Sequence, residues 1–188
     1  WDGSRHSKDE TESFLFWMFV KLMERTQHDR LFHDLAKNRT FLTEKIQKIA
    51  FSVHPKLREL MNNVNLHEMF FLFRPMLLLF KRDFKFPDLL KLWDSIITAK
   101  PSHSFIRYIT AAVLIYLYPK IVVSTDETLG EVMSVTDGFL DRAKVENLIN
   151  LACVLKQKAG NRRRDVDEEI PIDLELMDYV PKFFSFSD

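Results

Sequence analysis

The chain has 188 residues, with 27 basic and 27 acidic side chains and therefore no formal net charge. This length suits one domain or one lobe of a larger domain, and the charge balance argues against a general binder of nucleic acid or acidic lipid. A single cysteine, Cys153, excludes a disulfide framework and a cysteine-rich metal site, so a reduced intracellular setting is the default. The chain begins with Trp1 rather than methionine and shows no signal peptide, and we expect a fragment of a longer protein.

The first predicted helix follows an S-x-x-E capping box formed by Ser7 and Glu10. Behind the box, large apolar residues recur at helical spacing: Phe14, Trp17, Met18 and Leu22. The other side of the same helix is apolar as well: Leu15, Phe16, Phe19 and Val20. We therefore expect this helix to be largely buried as far as Lys21, before the polar stretch from Arg25 to Arg30 ends the pattern.

Later segments also carry helix-start signals followed by apolar residues at helical spacing. They begin at Thr40, His54-Pro55, Phe86-Pro87-Asp88, Ser104, Ser124 (a capping box with Glu127) and Asp141, the last with Gly160 as its stop. Pro119 is predicted to end or bend the helix that starts at Ser104. No alternating strand pattern of useful length precedes Gly160. The predicted fold class is all-α, a bundle-like lobe of about eight helices.

The central stretch from Leu66 to Phe80 is apolar on nearly every side of a helix drawn through it. Such a helix belongs inside a protein or a membrane, but Glu68 and the Arg74-Pro75 pair cut the run short of the ~20 residues that a membrane span needs. We expect a buried helix with Asn65 and Glu68 at its cap. Pro75 removes one backbone hydrogen bond, so a kink is expected near Phe71–Arg74.

The chain changes character after Gly160, which divides it into a predicted lobe, residues 9–159, and a tail, residues 160–188. The tail opens with Arg162-Arg163-Arg164 and an acidic run, then continues as IPIDLELMDYVPKFFSFSD. A freely disordered segment usually has fewer apolar side chains than this one. We therefore expect the tail either to dock on the lobe or to be partly disordered. An uncovered apolar face of the lobe predicts either coverage by the stretch from Ile170 to Phe186 or self-association.

The residues alone identify no reaction. The 4 glycines are scattered, so there is no phosphate-binding loop, and the H-E-x-x pattern at His67 has Phe71 where a zinc protease has its second histidine. The remaining histidines lie near predicted helix ends, where surface or capping roles are expected: His28, His33, His54 and His103. Cys153 is expected to be a small core residue. No cofactor and no metal are predicted, and the pattern describes a soluble helical domain.

The central stretch nevertheless resembles a known family. It reads Phe71-Leu72-Phe73-Arg74-Pro75-Met76-Leu77-Leu78-Leu79-Phe80-Lys81-Arg82-Asp83-Phe84, followed by Leu92-Trp93-Asp94. This order is similar to the second half of the TBC domain, the helical domain of GTPase-activating proteins for Rab small GTPases. The segment from Asp9 to Arg25 looks like the helix that follows the family's glutamine motif, and residues 110–122 and Asn150-Leu151-Ala152 resemble its closing helices. The resemblance covers about Asp9 to Lys158.

The resemblance implies a set of motif residues, mostly structural, some of which could face a GTPase: Phe73, Arg74, Lys81, Arg82, Trp93 and Asp94. Two positions depart from the family pattern. Pro75 stands where the family usually has tryptophan, which should tilt the helix and remove a large core side chain, and Asp83 replaces the usual glutamate. For Arg74, Trp93 and Asp94 the alternatives are ties between core helices and direct GTPase contact, with the first favoured.

The family's two catalytic fingers are missing from the sequence. They are an arginine in an I-x-x-D-x-x-R motif and a glutamine in a Y-x-Q motif, both in the first half of the domain. No I-x-x-D-x-x-R occurs, and none of Gln27, Gln47 and Gln157 follows a tyrosine by two positions. The resemblance thus implies the C-terminal part of a Rab-type activator, not an enzyme by itself, whose N-terminal TBC lobe lies elsewhere.

The implied partners are a Rab-family small GTPase and that missing lobe, with no nucleic acid and at most a peripheral contact with membranes. The implied location is cytoplasmic, with recruitment to endomembranes. The alternative hypothesis is a non-catalytic TBC-like scaffold or GTPase-binding adaptor.

Overall fold

A computed structural model describes residues 7–63, 66, 68–123, 140 and 143–159. Within them the chain forms eight helices and no strand, which confirms the all-α prediction. The helices are α1 (Lys8–Thr26), α2 (His28–Leu31), α3 (Leu35–Val53), α4 (Pro55–Asn63), α5 (Phe70–Leu77), α6 (Phe86–Thr98), α7 (Ser102–Val123) and α8 (Val145–Ala159).

Three of the predicted helix starts are confirmed by their local chemistry. The Ser7 hydroxyl accepts a hydrogen bond from the Glu10 N–H at 3.2 Å, and the Glu10 carboxylate accepts one from the Ser7 N–H at 2.8 Å, which is the reciprocal capping box. Pro55 opens α4 and Pro87 lies in the first turn of α6, where a missing N–H costs nothing. The predicted start of α3 at Thr40 is wrong. The helix begins at Leu35, and Asp34 caps it by accepting a hydrogen bond from the Lys37 N–H at 2.9 Å.

Helix α7 is the centre of the fold. It packs against α1, α3, α4, α5, α6 and α8. Six of its apolar side chains are completely buried: Ile109, Ala111, Ala112, Val113, Leu114 and Leu117. Its residues Ser102–Val122 are long and apolar enough to cross a membrane, but 67% of that stretch is buried by the other helices. The helix continues past Pro119 to Val123, so of the two predicted outcomes the stop is excluded and a bend at this proline stays a prediction.

The central stretch forms a shorter helix than predicted. Helix α5 has eight residues and begins at Phe70, because Met69 before it adopts a left-handed conformation (φ 49°). It ends in a Schellman motif, with Phe80 N–H donating to Pro75 O at 2.7 Å and Leu79 N–H to Met76 O at 3.1 Å. Leu79 takes the left-handed position at φ 50°. The stretch is largely buried, as predicted, but residues 78–84 form turns instead of continuing the helix.

Glu68 does not cap α5. It lies in a turn, where its carboxylate accepts a hydrogen bond from Arg39 of α3 at 2.8 Å. Asn65, its predicted companion, lies outside the described residues. So do the predicted caps at Ser124, Glu127 and Asp141, the stop at Gly160 and the tail.

Helix α8 confirms its predicted inward face and corrects one residue on it. Val145, Leu148, Ala152 and Leu155 are buried. Cys153 is exposed, so its prediction as a core residue is wrong. Each residue turns an α-helix by about 100°, and one step beyond Ala152 is enough to bring the thiol to the surface.

The largest departure from prediction is α1. Its residues Lys8 to Phe19 are all exposed, and burial begins only at Val20. The expectation of a largely buried helix as far as Lys21 is therefore wrong. Helical spacing of apolar residues predicts which side chains can pack against a partner, but it does not show where that partner lies.

Candidate interaction surface

Two of the six predicted motif residues lie between packed elements. Trp93 of α6 is half-buried, and its indole Nε1–H donates to the carbonyl oxygen of Leu79 at 2.9 Å. This bond joins α6 to the turn that ends α5. Phe73 is half-buried and packs against the core. The structure brings both aromatic side chains to positions that stabilise the lobe.

The other four predicted residues are exposed: Arg74, Lys81, Arg82 and Asp94. Arg74 lies on α5, and Lys81 and Arg82 lie in the turn that Trp93 holds against α6. Asp83, which follows them, is buried instead. Three of the four exposed side chains are positively charged and Asp94 is negatively charged. A role of these four residues in GTPase binding stays a prediction.

Sequence reasoning missed a buried pair of cations around one aromatic ring. Lys45 Nζ lies 4.9 Å from the centroid of the Phe41 ring, and Arg107 Cζ lies 5.4 Å from it. Both cations are buried, Arg107 completely. A cation over an aromatic face gains electrostatic attraction that offsets part of its lost hydration. The contact links α3 to α7; the signal for it was the arginine inside the otherwise apolar sequence of α7.

The prediction of a surface or capping role is wrong for His28. This side chain is 2% exposed, and its Nε2 lies 3.0 Å from the carbonyl oxygen of Met76, to which the Nε2–H of the neutral ring donates. Burial lowers the pKa of His28, and the hydrogen bonds to the Met76 and Leu77 carbonyls oppose that shift without cancelling it. The ring joins α2 to the last turn of α5 and is held neutral.

The base of α1 is held by side-chain bonds from Arg25. Its Nε–H donates to the carbonyl oxygen of Ile97 at 2.9 Å and to the Ser102 hydroxyl at 3.2 Å. These contacts fasten α1 to the end of α6 and the start of α7. The helix then ends at Gln27, which adopts a left-handed conformation at φ 54°. Because its base is fixed, the direction in which the exposed half of α1 projects is fixed too.

The exposed half of α1 carries the most concentrated apolar surface of the described residues. Six consecutive large side chains are each 47–65% exposed: Phe14, Leu15, Phe16, Trp17, Met18 and Phe19. We call this segment the α1 apolar arm. Single exposed apolar residues are ordinary, whereas a contiguous patch of this kind marks an interaction surface.

A groove runs along one side of the arm, where α1 meets the end of α6. It encloses about 400 Å³. Its lining combines apolar side chains with two cations: Phe14, Trp17, Met18, Lys21, Leu22, Arg25 and Ile97. Within the described part of the chain, no group of three or more His, Cys, Asp or Glu side chains is placed to hold a metal ion. The chemistry that this surface offers is apolar contact with positive charge at its base.

Comparison with known proteins assigns the family. The sequence model of the Rab-GTPase-TBC domain matches residues 5–122, which is more than half of the chain and runs from α1 almost to the end of α7. The chain belongs to the Rab-GTPase-TBC domain family. The TBC assignment agrees with the all-α fold and with the motif from Phe71 to Asp94.

Curated TBC relatives are similar over part of their length. Human TBC1 domain family member 13 is 26% identical over 119 residues, which is 62% of this chain and 30% of that protein. The GTPase-activating protein GYP7 of Debaryomyces hansenii is 29% identical over 105 residues, 56% of this chain and 14% of that protein. The matched region thus spans less than a third of either relative. No solved structure matches the chain.

Proposed function

We propose that this chain is the C-terminal part of a TBC domain that activates GTP hydrolysis by Rab GTPases. It would support a finger-bearing lobe and contribute to GTPase binding without supplying a catalytic finger. The observation that carries the proposal is the α1 apolar arm. A helix that is apolar on all sides is typical of a protein interior. Among the described residues, burial of this helix begins only at Val20, and its base is held by Arg25.

The energetics favour a partner for the arm. Burying a large apolar side chain is worth roughly 1.5–3 kcal/mol. The arm has six such side chains, and each of them is 47–65% exposed. A missing lobe that covered them would gain a large apolar contact. The fixed base at Arg25 would set the orientation of that lobe relative to α6 and α7.

The absence of both finger motifs from the 188 residues limits what the chain can do alone. An arginine finger neutralises charge that develops on the transferred phosphate and is worth ~10³–10⁵ in rate. The exposed arginines Arg74 and Arg82 lie outside any I-x-x-D-x-x-R sequence. They are assigned to the binding surface, not to the nucleotide.

A GTP hydrolysis assay tests the proposal. The chain alone should leave the basal rate of phosphate release unchanged for a panel of Rab GTPases. Addition of a finger-bearing N-terminal lobe, such as that of a TBC relative, should raise the rate, and the same lobe without its finger arginine should not. Clear stimulation by the chain alone would overturn the assignment.

A second candidate, a GTPase-binding adaptor without catalysis, is favoured by the exposed cations Arg74, Lys81 and Arg82. An adaptor binds a Rab GTPase in the absence of any other lobe. Binding of the GTP-loaded GTPase to the chain, weakened by Arg82→Glu and not by Lys120→Glu on the exposed end of α7, would support it. Rate enhancement only after addition of the lobe would favour the activator instead.

A further inference from the structure

We propose that the C-terminal tail of this chain, residues 170–186, occupies the groove between the α1 apolar arm and the end of α6. The groove is lined by Phe14, Trp17, Met18, Lys21, Leu22, Arg25 and Ile97. This inference stands beside the proposed function and does not depend on it, because it concerns one side of the arm only.

The chain leaves the described structure next to the base of this groove. Helices α6 and α8 run in the same direction: Lys91 near the start of α6 pairs with Glu146 near the start of α8, and Lys156 near the end of α8 donates to the carbonyl oxygen of Lys100 at 2.6 Å. Lys100 lies between Ile97 and Ser102, the two residues that bind Arg25 of α1. The end of α8 and the base of α1 are therefore held at the same loop.

The tail is long enough to follow the groove from that loop. Residues 160–169 alone span up to ~33 Å when extended, whereas the helix rises only ~17 Å between Arg25 and Phe14. The apolar part of the tail then begins at Ile170. Its aromatic end, Phe183 and Phe184, can reach the outer part of the arm without any change in the helices.

The order of charges along the tail matches the order along the groove. Lys21 and Arg25 stand at the base, and the tail places Asp173, Glu175 and Asp178 first. Lys182 comes later in the tail, while Asp9 and Glu12 lie at the outer end of the arm. Opposite charges therefore meet at both ends when the tail runs outward from the loop, with apolar side chains facing each other between them.

The α1 apolar arm has a side that faces the groove and a side that faces away from it. The tail would cover the first side only, so a partner lobe could still bind the second. At about 100° per residue, Phe14, Met18, Lys21 and Arg25 share the groove side, and Phe16 and Phe19 point away from it. The groove side adjoins the exit of the tail. The far side stays open for the partner lobe of the proposed function.

Pairs of engineered cysteines test the placement in the full 188-residue chain. The exposed Cys153 is first replaced by serine. A cysteine at Phe183 is then combined with either Met18→Cys on the groove side or Phe16→Cys on the far side, and a second set uses Phe184→Cys. Met18 and Phe16 are matched controls, since each is 54% exposed. Neither substitution disturbs a buried contact.

With oxidised glutathione as the electron acceptor, the cysteine at position 183 of a docked tail should form the intramolecular disulfide with Met18→Cys about tenfold faster than with Phe16→Cys, because docking raises the effective concentration at one side only. Lys21→Glu should slow the Met18→Cys reaction, and Asp178→Lys should restore it. Equal rates for the two sides, or disulfides only between chains at twice the mass on a non-reducing gel, would overturn the proposal. Rab GTP hydrolysis plays no part in this readout, so its failure is distinguishable from that of the proposed function.

Discussion

Helix α7 and the α1 apolar arm are both rich in large apolar residues, but α7 is largely buried and the arm is exposed. Both carry large apolar side chains on every side of the helix, yet Leu114 of α7 is fully buried and Leu15 of α1 is 59% exposed. Helix α7 is surrounded by six other helices, whereas only the base of α1 reaches α2, α6 and α7. The comparison shows that an all-round apolar helix identifies a requirement for partners. The residue pattern of one helix does not show whether that requirement is met.

The largest difference between the two helices should appear when leucine is replaced by alanine in each of them. Leu114→Ala in α7 should lower the free energy of unfolding by about 2–5 kcal/mol, because it opens a cavity in a packed core. Leu15→Ala in the arm should change it by less than about 0.5 kcal/mol, as expected for a surface position. Urea unfolding of the two variants measures both values. Similar losses would mean that the arm is already buried in this chain.

A second test concerns pH and the buried ring of His28. Burial lowers the pKa of this group in the folded protein, whereas in the unfolded chain it titrates near 6.5. The unfolded state therefore binds the proton first, and stability should fall as the pH drops below about 6.5. His28→Gln removes the titration and can keep a donor for the Met76 carbonyl oxygen.

The readout is the urea unfolding free energy of the chain and of His28→Gln between pH 7.5 and pH 5. The other five histidines are common to both proteins and cancel in the difference. The wild-type protein should lose more stability than the variant over this window. Parallel curves would contradict the account of His28 as a buried neutral ring.

The fixed base of α1 gives a smaller expected effect. Arg25→Met keeps much of the aliphatic stem but removes the hydrogen bonds to Ile97 and Ser102. A net loss of about 1–2 kcal/mol is expected for bonds of this kind. Lys21→Met, one turn earlier and on the same side, removes exposed charge contacts, among them the pair with Glu24, and should cost about 0–1 kcal/mol. Equal effects would show that Arg25 does not anchor the arm.

The sequence predicted the helices better than it predicted their surroundings. The capping box at Ser7 and the prolines at positions 55 and 87 predicted helix starts because those signals are local. The end of α5 and the turns after it were missed, since they depend on Leu79 and Phe80 adopting a left-handed backbone that their residue types disfavour. His28 was misjudged for a related reason: its partner, Met76, lies 48 residues away in sequence.

The candidate interaction surface also has residues that the sequence identified and residues that it did not. The family motif identified Trp93, whose indole bond to Leu79 O is visible in the structure. The exposure of Phe14 to Phe19 could not be inferred from the chain's own pattern, because that pattern is the same for a covered and an uncovered helix. The cation pair at Phe41 needed the contact between α3 and α7, which no spacing within either helix reveals.

The far side of the arm provides the most direct test of the central claim, that the arm is a contact surface for the rest of a TBC domain. The measurement is the dissociation constant between this chain and a finger-bearing N-terminal TBC lobe, by titration calorimetry. The double variant Phe16→Gln/Phe19→Gln should weaken binding by about tenfold or more, as loss of a central apolar contact does. Phe86→Gln is the matched control, since Phe86 is 69% exposed on α6, away from the arm. Unchanged affinity in the double variant, or an equal loss with Phe86→Gln, would contradict the claim.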